Sequence, residues 1–340
     1  MQTSVAAMPI TQFGRTGMRV SRIVLGTMTF GAQADERASH AIMDVAAERG
    51  VDFIDTADVY PIPVFPETCG RTEEIVGRWL RGKRDRFVLA TKGYNQMGPG
   101  PNDGGNSRVH LMRALDASLK RLQTDYVDLY QIHRWDDTTP IEETLAALDD
   151  MRRAGKIRYA GASNLAGWQM MQSLWTSDAR HLVRFDSVQP RYNLLYRHIE
   201  AEMVPASIAN GVAIMVFNPL AGGVLTGKYR SGEAPREGTR FALQGRTGVM
   251  YGQRYWQQEM LALVERLSAD VSSRGKSLTH VALRWVLEQP GITCAIVGAS
   301  KPEQLADSLR ALDVELDDAD RAACDGAWFA LPRRRPEDEP

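Results

Sequence analysis

Short apolar runs alternate with longer amphipathic segments along most of the chain. The short runs occupy residues 20–25, 51–54, 87–90, 126–132, 157–161, 185–188, 212–217 and 294–297. They are rich in Val, Ile, Leu and aromatic residues and mostly do not alternate apolar with polar. That is the pattern of strands buried on both faces, as in a parallel sheet. Between them the apolar spacing is helical. Residues 35–49 open with acids and stop at Gly50, a residue suited to the left-handed end of a helix. Ser107 is placed to cap a helix over 107–122. Pro140 suits the first turn of a helix over 141–154, which Gly155 closes, and Pro302 precedes a helix over 303–312. Eight strands each followed by a helix predict an α/β fold, a closed (β/α)8 or TIM barrel, with an open doubly wound sheet as the alternative.

Three stretches break the rhythm. Residues 61–70 and 94–106 are rich in Pro, Gly and Asn, and residues 228–255 are irregular after the last-but-one run. Irregular segments after strands belong at the C-terminal mouth of a barrel, where active sites sit. Residues before Val20, turning at Arg15-Thr16-Gly17, are expected to form an N-terminal β-hairpin that plugs the other end. No linker, fixed-period repeat or low-complexity tract interrupts the chain. Residues 1–340 therefore read as one domain, with a core over about 13–312 and a short tail over about 331–340.

Composition narrows the function classes. Of 340 residues 44% are hydrophobic and the formal net charge is −1, so nothing suggests a nucleic-acid partner. The basic run Arg333-Arg334-Arg335 and the acids behind it read as a solvated tail. The 3 cysteines, Cys69, Cys294 and Cys324, have no metal-binding spacing, and the scattered histidines give no reason to expect a metal. A reducing, cytoplasmic location is expected: the N-terminus lacks the pattern of a signal peptide, and no apolar run is long enough to span a membrane.

Two motif searches give little. The dinucleotide fingerprint GxGxxG is absent from any strand–turn–helix context. Gly222-Gly223-Val224-Leu225-Thr226-Gly227-Lys228 matches the spacing of a phosphate loop. Tyr229, however, stands where that motif needs a hydroxyl for magnesium.

The chemistry lies at the strand ends. Asp55 ends the second run and Tyr60 lies five residues on; Lys92 follows the third run; His133 follows the fourth. In a barrel these ends converge on one mouth. A phenol with an ordinary pKa of about 10 donates a proton poorly at neutral pH. A neighbouring ammonium is expected to lower that pKa, and a carboxylate to hold the ammonium in place. The imidazole then orients a substrate carbonyl. Each residue taken singly has an ordinary structural reading, as a turn former, a solvated cation or a satisfied core histidine. Their succession at consecutive strand ends is what favours catalysis.

These residues lie in stretches that resemble the aldo-keto reductase superfamily. Asp55-Thr56-Ala57-Asp58-Val59-Tyr60 resembles its DTAxxY motif, and Val88-Leu89-Ala90-Thr91-Lys92 its lysine strand. The stretch Asp125-Tyr126-Val127-Asp128-Leu129-Tyr130-Gln131-Ile132-His133 resembles its histidine strand. Gly155-Lys156-Ile157-Arg158-Tyr159-Ala160-Gly161-Ala162-Ser163-Asn164 is similar to its GK-x-R-x-x-G-x-SN segment. The likeness covers about residues 13–312. It implies a barrel without a metal and a nicotinamide cofactor laid across the mouth, with Tyr60 as acid/base and Asp55, Lys92 and His133 as partners. It assigns Ser163, Asn164 and Gln189 to the carboxamide, with Thr27 and Asp55 beside them, and Phe217 to the nicotinamide ring. Asn218, Pro219, Leu220, Gly222 and Lys228 match the pyrophosphate segment, and Gly298, Ser300 and Gln304 the adenosine side.

One departure concerns the adenosine phosphate. Many members place an arginine and a lysine where Ala299 and Gln304 stand here. The cations left nearby are Lys301, Lys228 and, with a gap in the alignment, Arg240. NADPH is expected over NADH. The likeness is to the branch with the potassium-channel β-subunits and their bacterial relatives. A carbonyl reductase therefore competes with a cofactor-binding regulatory module, and with an alcohol or sugar dehydrogenase running the reaction in reverse. The channel-associated members carry Asn where this chain has His133, which favours the enzyme. The substrate is expected to meet Tyr60, Tyr94, His133 and Trp135, along with Phe65, Arg134 and an aromatic from Phe241, Tyr251 or Trp256. An aromatic mouth suits an apolar carbonyl, and Arg134 leaves room for an anionic or polar one. The oligomeric state stays open.

Overall fold

Strand ends and glycine stops locate the elements. The computed structural model describes residues 7–332, so the charged tail from Arg333 on lies outside the described residues. The chain opens with β1 (Ile10–Gln12) and β2 (Arg19–Ser21), an antiparallel hairpin. Then come β3 (Ile23–Gly26), α1 (Glu36–Glu48), β4 (Phe53–Asp55), α2 (Arg71–Leu80), β5 (Val88–Gly93) and α3 (Arg108–Leu122). They are followed by β6 (Val127–Ile132), α4 (Ile141–Arg153), β7 (Ile157–Ser163), α5 (Gly167–Arg180), β8 (Phe185–Gln189), α6 (Met203–Asn210) and β9 (Ala213–Val216). The last part holds α7 (Gly245–Tyr255), α8 (Gln258–Ser273), α9 (Leu278–Glu288), β10 (Ile292–Gly298), α10 (Pro302–Leu309) and α11 (Asp318–Phe329). Strands β3 to β10 pair in parallel and close on themselves, so the expected (β/α)8 barrel is observed.

The caps form as their chemistry requires. Ser107 accepts from the His110 N–H at 3.3 Å, and Asp35 accepts from the Ala38 N–H at 2.8 Å. Gly50 and Gly155 follow α1 and α4 at φ +78° and +74°.

The hairpin plugs the N-terminal end of the barrel. Phe13 and Val20 are fully buried with Val24, Phe53, Leu129 and Met215 inside the barrel, and the rings of Phe13 and Phe53 meet edge-on at 5.8 Å. The apolar run 20–25 is divided between two sheets, because the chain turns at Arg22. That side chain donates to the carbonyls of Leu287, Ile292 and Thr293 at 2.6, 2.8 and 3.1 Å, which ties the turn to the barrel's last strand.

Two expectations are corrected. Part of the irregular stretch 228–255 is helical, as α7. Its three glycines, Gly245, Gly248 and Gly252, hide the helical signal because glycine is a poor helix former. A Cβ on Gly248 would stand 1.8 Å from the Leu243 carbonyl oxygen; glycine is what admits that close turn. The core also runs past residue 312. Helix α11 buries Cys324 and Ala327, and Asp317 caps it at 2.8 Å.

Candidate active site

Strand register brings the predicted residues together. Asp55 lies opposite Ala90, and Lys92 opposite Gln131. Lys92 is fully buried. Its Nζ donates to Asp55 Oδ1 at 2.5 Å and to the Thr56 carbonyl at 2.8 Å. Gln189 and Gln131 donate to the other carboxylate oxygen of Asp55 at 2.9 and 3.1 Å. The buried ion pair is therefore hydrogen-bonded on both sides, the condition under which a buried charge is tolerated.

Tyr60 and His133 stand above this pair, their rings edge-on at 5.9 Å. Lys92 Nζ is 5.3 Å from the Tyr60 ring centroid. Burial, Asp55 and Tyr251 push the Tyr60 phenol above its ordinary range, with Arg240 pulling weakly the other way. Asp55 also engages the Lys92 ammonium, so the net push on the resting phenol is upward. Tyr60 is a protonated phenol.

His133 is held the other way. Desolvation, with the charges of Lys92 and Arg134, drives its imidazole well below the ordinary value. Asn95 Nδ2 lies 3.0 Å from His133 Nδ1. With the amide assigned in this orientation its N–H donates, so that Nδ1 accepts and Nε2 carries the proton. The result is a neutral imidazole whose remaining N–H is free to hold a carbonyl oxygen. Because this group stays neutral, reductive kcat/KM is expected to stay level as pH falls from 7.5 through 6.5, the ordinary value of a histidine. A pH–rate profile with an acid limb centred at that ordinary value would mean that water reaches the ring.

Tyr60, Asp55 and His133 line a cavity of about 780 Å³, with Lys92 behind its wall. Every expected cofactor residue lines the same cavity: Thr27, Ser163, Asn164, Gln189, Phe217, Asn218, Pro219, Leu220, Gly222, Lys228, Arg240, Gly298, Ser300 and Gln304. Asn164, at φ +55°, donates to Ser163 Oγ and to the His133 carbonyl, each at 3.0 Å. Gly222, at φ +68°, donates its N–H to Asn218 Oδ1 at 2.6 Å, and a Cβ there would meet Phe241 and Tyr251 at 3.1 Å. Lys228 is lowered by desolvation and by Arg240 and Arg236. Cations crowded like this in a cavity wall suit a polyanion. A Cβ on Gly298 would stand 3.8 Å from an Arg240 guanidinium nitrogen, which puts that cation beside the Gly298–Ser300 segment. Ser300 Oγ and Gln304 Oε1 bond each other at 3.1 Å. A dinucleotide phosphate fits this donor set.

Some expected contacts are elsewhere. Tyr94 and Trp135 are not part of the cavity wall; Trp135 donates to Asp137 at 2.9 Å and stacks edge-on against Trp168. Phe65 and Lys301 are exposed and outside the wall, and Phe241 and Trp256 pack on each other, which leaves Tyr251, on α7, as the one of those three aromatics that lines the cavity. The loop 94–106 bonds to itself, with Gly105 N–H to the Tyr94 carbonyl at 2.7 Å and Met97 N–H to the Asp103 carbonyl at 2.8 Å.

Sequence reasoning missed Gln131, Asn95, Asp58 and Arg254. Gln131 had a signal: it lies on β6 two positions before His133, the spacing that puts side chains on the same side of an extended chain. Asp58 had none. It is fully buried, its carboxyl oxygens lack partners, and burial and Glu73 push it well above the carboxylate range.

Known proteins resemble this chain along most of its length. A model described as "Aldo/keto reductase family" matches residues 22–328. The chain is 38% identical over 318 residues to the "Uncharacterized oxidoreductase YrpG" of Bacillus subtilis (strain 168), covering 91% of this chain and 93% of that one. It is 37% identical over 312 residues to a "Probable voltage-gated potassium channel subunit beta" of Oryza sativa subsp. japonica, covering 90% and 92%. It is 34% identical over 314 residues to the "L-glyceraldehyde 3-phosphate reductase" of Escherichia coli O157:H7, covering 88% and 86%. Fold, site and relatives define an oxidoreductase built on a (β/α)8 barrel. The chain belongs to the aldo/keto reductase family, whose general chemistry is carbonyl reduction with NAD(P)H. Among the described residues no helix is long and apolar enough to cross a membrane.

Proposed function

We propose that this protein is an NADPH-dependent reductase that converts an aldehyde or ketone to an alcohol. The observation that carries this reading is the meeting of a protonated phenol, Tyr60, and a neutral imidazole, His133, in one cavity above the Asp55–Lys92 pair. His133 donates Nε2–H to the substrate carbonyl and fixes its direction. Tyr60 gives its proton to the same oxygen. Lys92 and Asp55 set the field beneath the phenol and keep its position. When bound, the nicotinamide supplies the hydride that reaches the carbonyl carbon. Ser163, Asn164 and Gln189 would hold its carboxamide, Phe217 its ring, and Lys228 and Arg240 its phosphates, with Thr27, Asn218, Pro219, Leu220, Gly222, Gly298, Ser300 and Gln304 forming the rest of the cradle.

The reading takes the chain as one domain in the reducing cytoplasm, in accord with three free cysteines. The relative named as a glyceraldehyde phosphate reductase supports carbonyl reduction, and the one named as a channel subunit keeps a binding module in view. The deciding experiment follows NADPH absorbance with purified protein and a carbonyl panel, beside fluorescence titrations with both cofactors. Turnover with tighter NADPH binding supports the proposal. Tight binding without turnover on any carbonyl favours the regulatory module instead.

Preference for NADPH is expected to depend on Arg240. Arg240→Ala should weaken NADPH binding about tenfold, the size of one charge-assisted bond, with a smaller effect on NADH. Equal losses for both cofactors would move Arg240 from the adenosine phosphate to the pyrophosphate.

A further inference from the structure

Two neighbouring helices of the outer ring present an uncharged face. Residues 167–177, most of α5, and residues 203–210, the whole of α6, contain no charged side chain. Helices α3, α4 and α8, by contrast, carry exposed Arg, Lys, Asp or Glu, as a solvated helix face ordinarily does. Trp168, Met171 and Trp175 form one row along α5, at the spacing that keeps side chains on one face. They are 57%, 38% and 72% exposed, and Ile208 on α6 is 57% exposed. Asn210 Nδ2 lies 3.6 Å from Met171 Sδ, which brings α6 against the row. A single exposed apolar side chain needs no explanation, whereas a group of them marks an interaction surface.

The face suits a second copy of itself. The row reads alike in both directions, with an indole at each end, the flexible Met171 between them and the exposed Gln172 beside its midpoint. A twofold axis at that midpoint runs the two α5 helices antiparallel and sets Trp168 of each copy against Trp175 of the other, the self-complementarity that a twofold interface requires. Gln172 has both a donor and an acceptor, so it can bond its own equivalent at the axis. Trp168 already rests edge-on against Trp135 at 5.7 Å, so little side-chain freedom is lost on docking. Charges at the border are paired, Arg180 with Glu142 at 2.9 Å and Arg184 with Asp178. Such a border does not repel its own copy, and it lacks the basic excess that draws a helix to an anionic lipid surface.

The area is of the right size. At about 200 Å² for a large side chain, the exposed parts of the row and of Ile208 amount to roughly 400 Å² on each copy. That is about half of the ~800 Å² that each partner buries in a standard interface, the share expected of an apolar centre inside a polar rim.

We propose that the protein forms a twofold homodimer through the outer faces of α5 and α6, with Trp168, Met171 and Trp175 at its centre. The pairing is independent of the carbonyl-reductase reading, because none of these residues lines the cofactor cavity.

Sedimentation velocity of the full chain, with and without NADPH, tests this from about 1 to about 100 µM, the range in which an interface of modest affinity assembles. The expected species has twice the mass of the 37.8 kDa chain. Trp175→Glu and Met171→Lys, both at exposed positions, should each weaken the dimer at least about thirtyfold, the size of one central hot-spot residue. Circular dichroism should show both variants unfolding at the wild-type temperature. Val109→Glu, at an exposed apolar site on α3, should leave the mass unchanged. A wild-type chain that stays monomeric over the whole range overturns the proposal. A dimer that survives both α5 variants does so too, because it uses another face. Flotation of the wild-type chain with vesicles of phosphatidylcholine and phosphatidylserine, lost in Trp175→Glu, would give the face to lipid and overturn the proposal as well.

Discussion

Tyr60→Phe is expected to lower the reductive kcat by roughly 10²–10⁴-fold, the usual worth of a positioned general acid, while NADPH binds as tightly as before. The phenyl ring keeps the edge-on contact with His133 and fills the same wall, so only the hydroxyl proton is lost. No neighbour replaces it well. His133 is neutral and holds its remaining N–H too firmly to release it at neutral pH, and Lys92 is committed to Asp55 and the Thr56 carbonyl. Single-turnover oxidation of NADPH reads the rate, and quenching of tryptophan fluorescence reads the binding. A variant that turned over at the wild-type rate would remove Tyr60 from the mechanism, since nothing else about the cavity changes.

The resting charge balance around Tyr60 runs opposite to the simplest sequence reading. Four strand-end residues were visible as a set, and an ammonium near a phenol ordinarily lowers its pKa. The pairing of Asp55 with Lys92, at 2.5 Å, was legible too; what spacing does not reveal is that burial, with the carboxylate's own charge, works against ionisation of the phenol. The phenol keeps its proton until substrate is in place, as a proton donor should.

The barrel was legible because its strands are buried on both faces and each is punctuated by a cap or a glycine. The boundaries that failed did so for local reasons. Arg22 divides one apolar run between two sheets through bonds to residues more than 260 positions away, which no window of sequence contains. Helix α7 is held by the burial of Gly248, Tyr251 and Tyr255 rather than by its own propensity. The residues proposed for the cofactor were assigned by likeness of motifs, whereas the rest of the cavity lining depends on how loops fold back. Loop 94–106 closes on itself and contributes Asn95 alone to the wall, while Arg254 arrives from a helix that the glycines disguised.

Lys92→Met separates the structural work of the buried pair from its catalytic work. The substitution leaves the Asp55 carboxylate buried without its cation, still accepting from Gln189 and Gln131. Breaking a buried pair in this way costs about 3–5 kcal/mol of stability, read as a lowered midpoint in urea. Activity should be lost as well, because the phenol then faces an uncompensated negative charge. The double variant Asp55→Asn with Lys92→Met removes both charges. Most of the lost stability should return, since exchanging a buried pair for neutral groups of similar size is often neutral or favourable. Turnover should not return with it, because the field beneath Tyr60 needs the ammonium itself. A single variant that loses less than about 1 kcal/mol would show a pair behaving as solvent-exposed ones do, contrary to its burial. A double variant that regained activity along with stability would make Lys92 a structural residue and leave Tyr60 and His133 to carry the reaction alone.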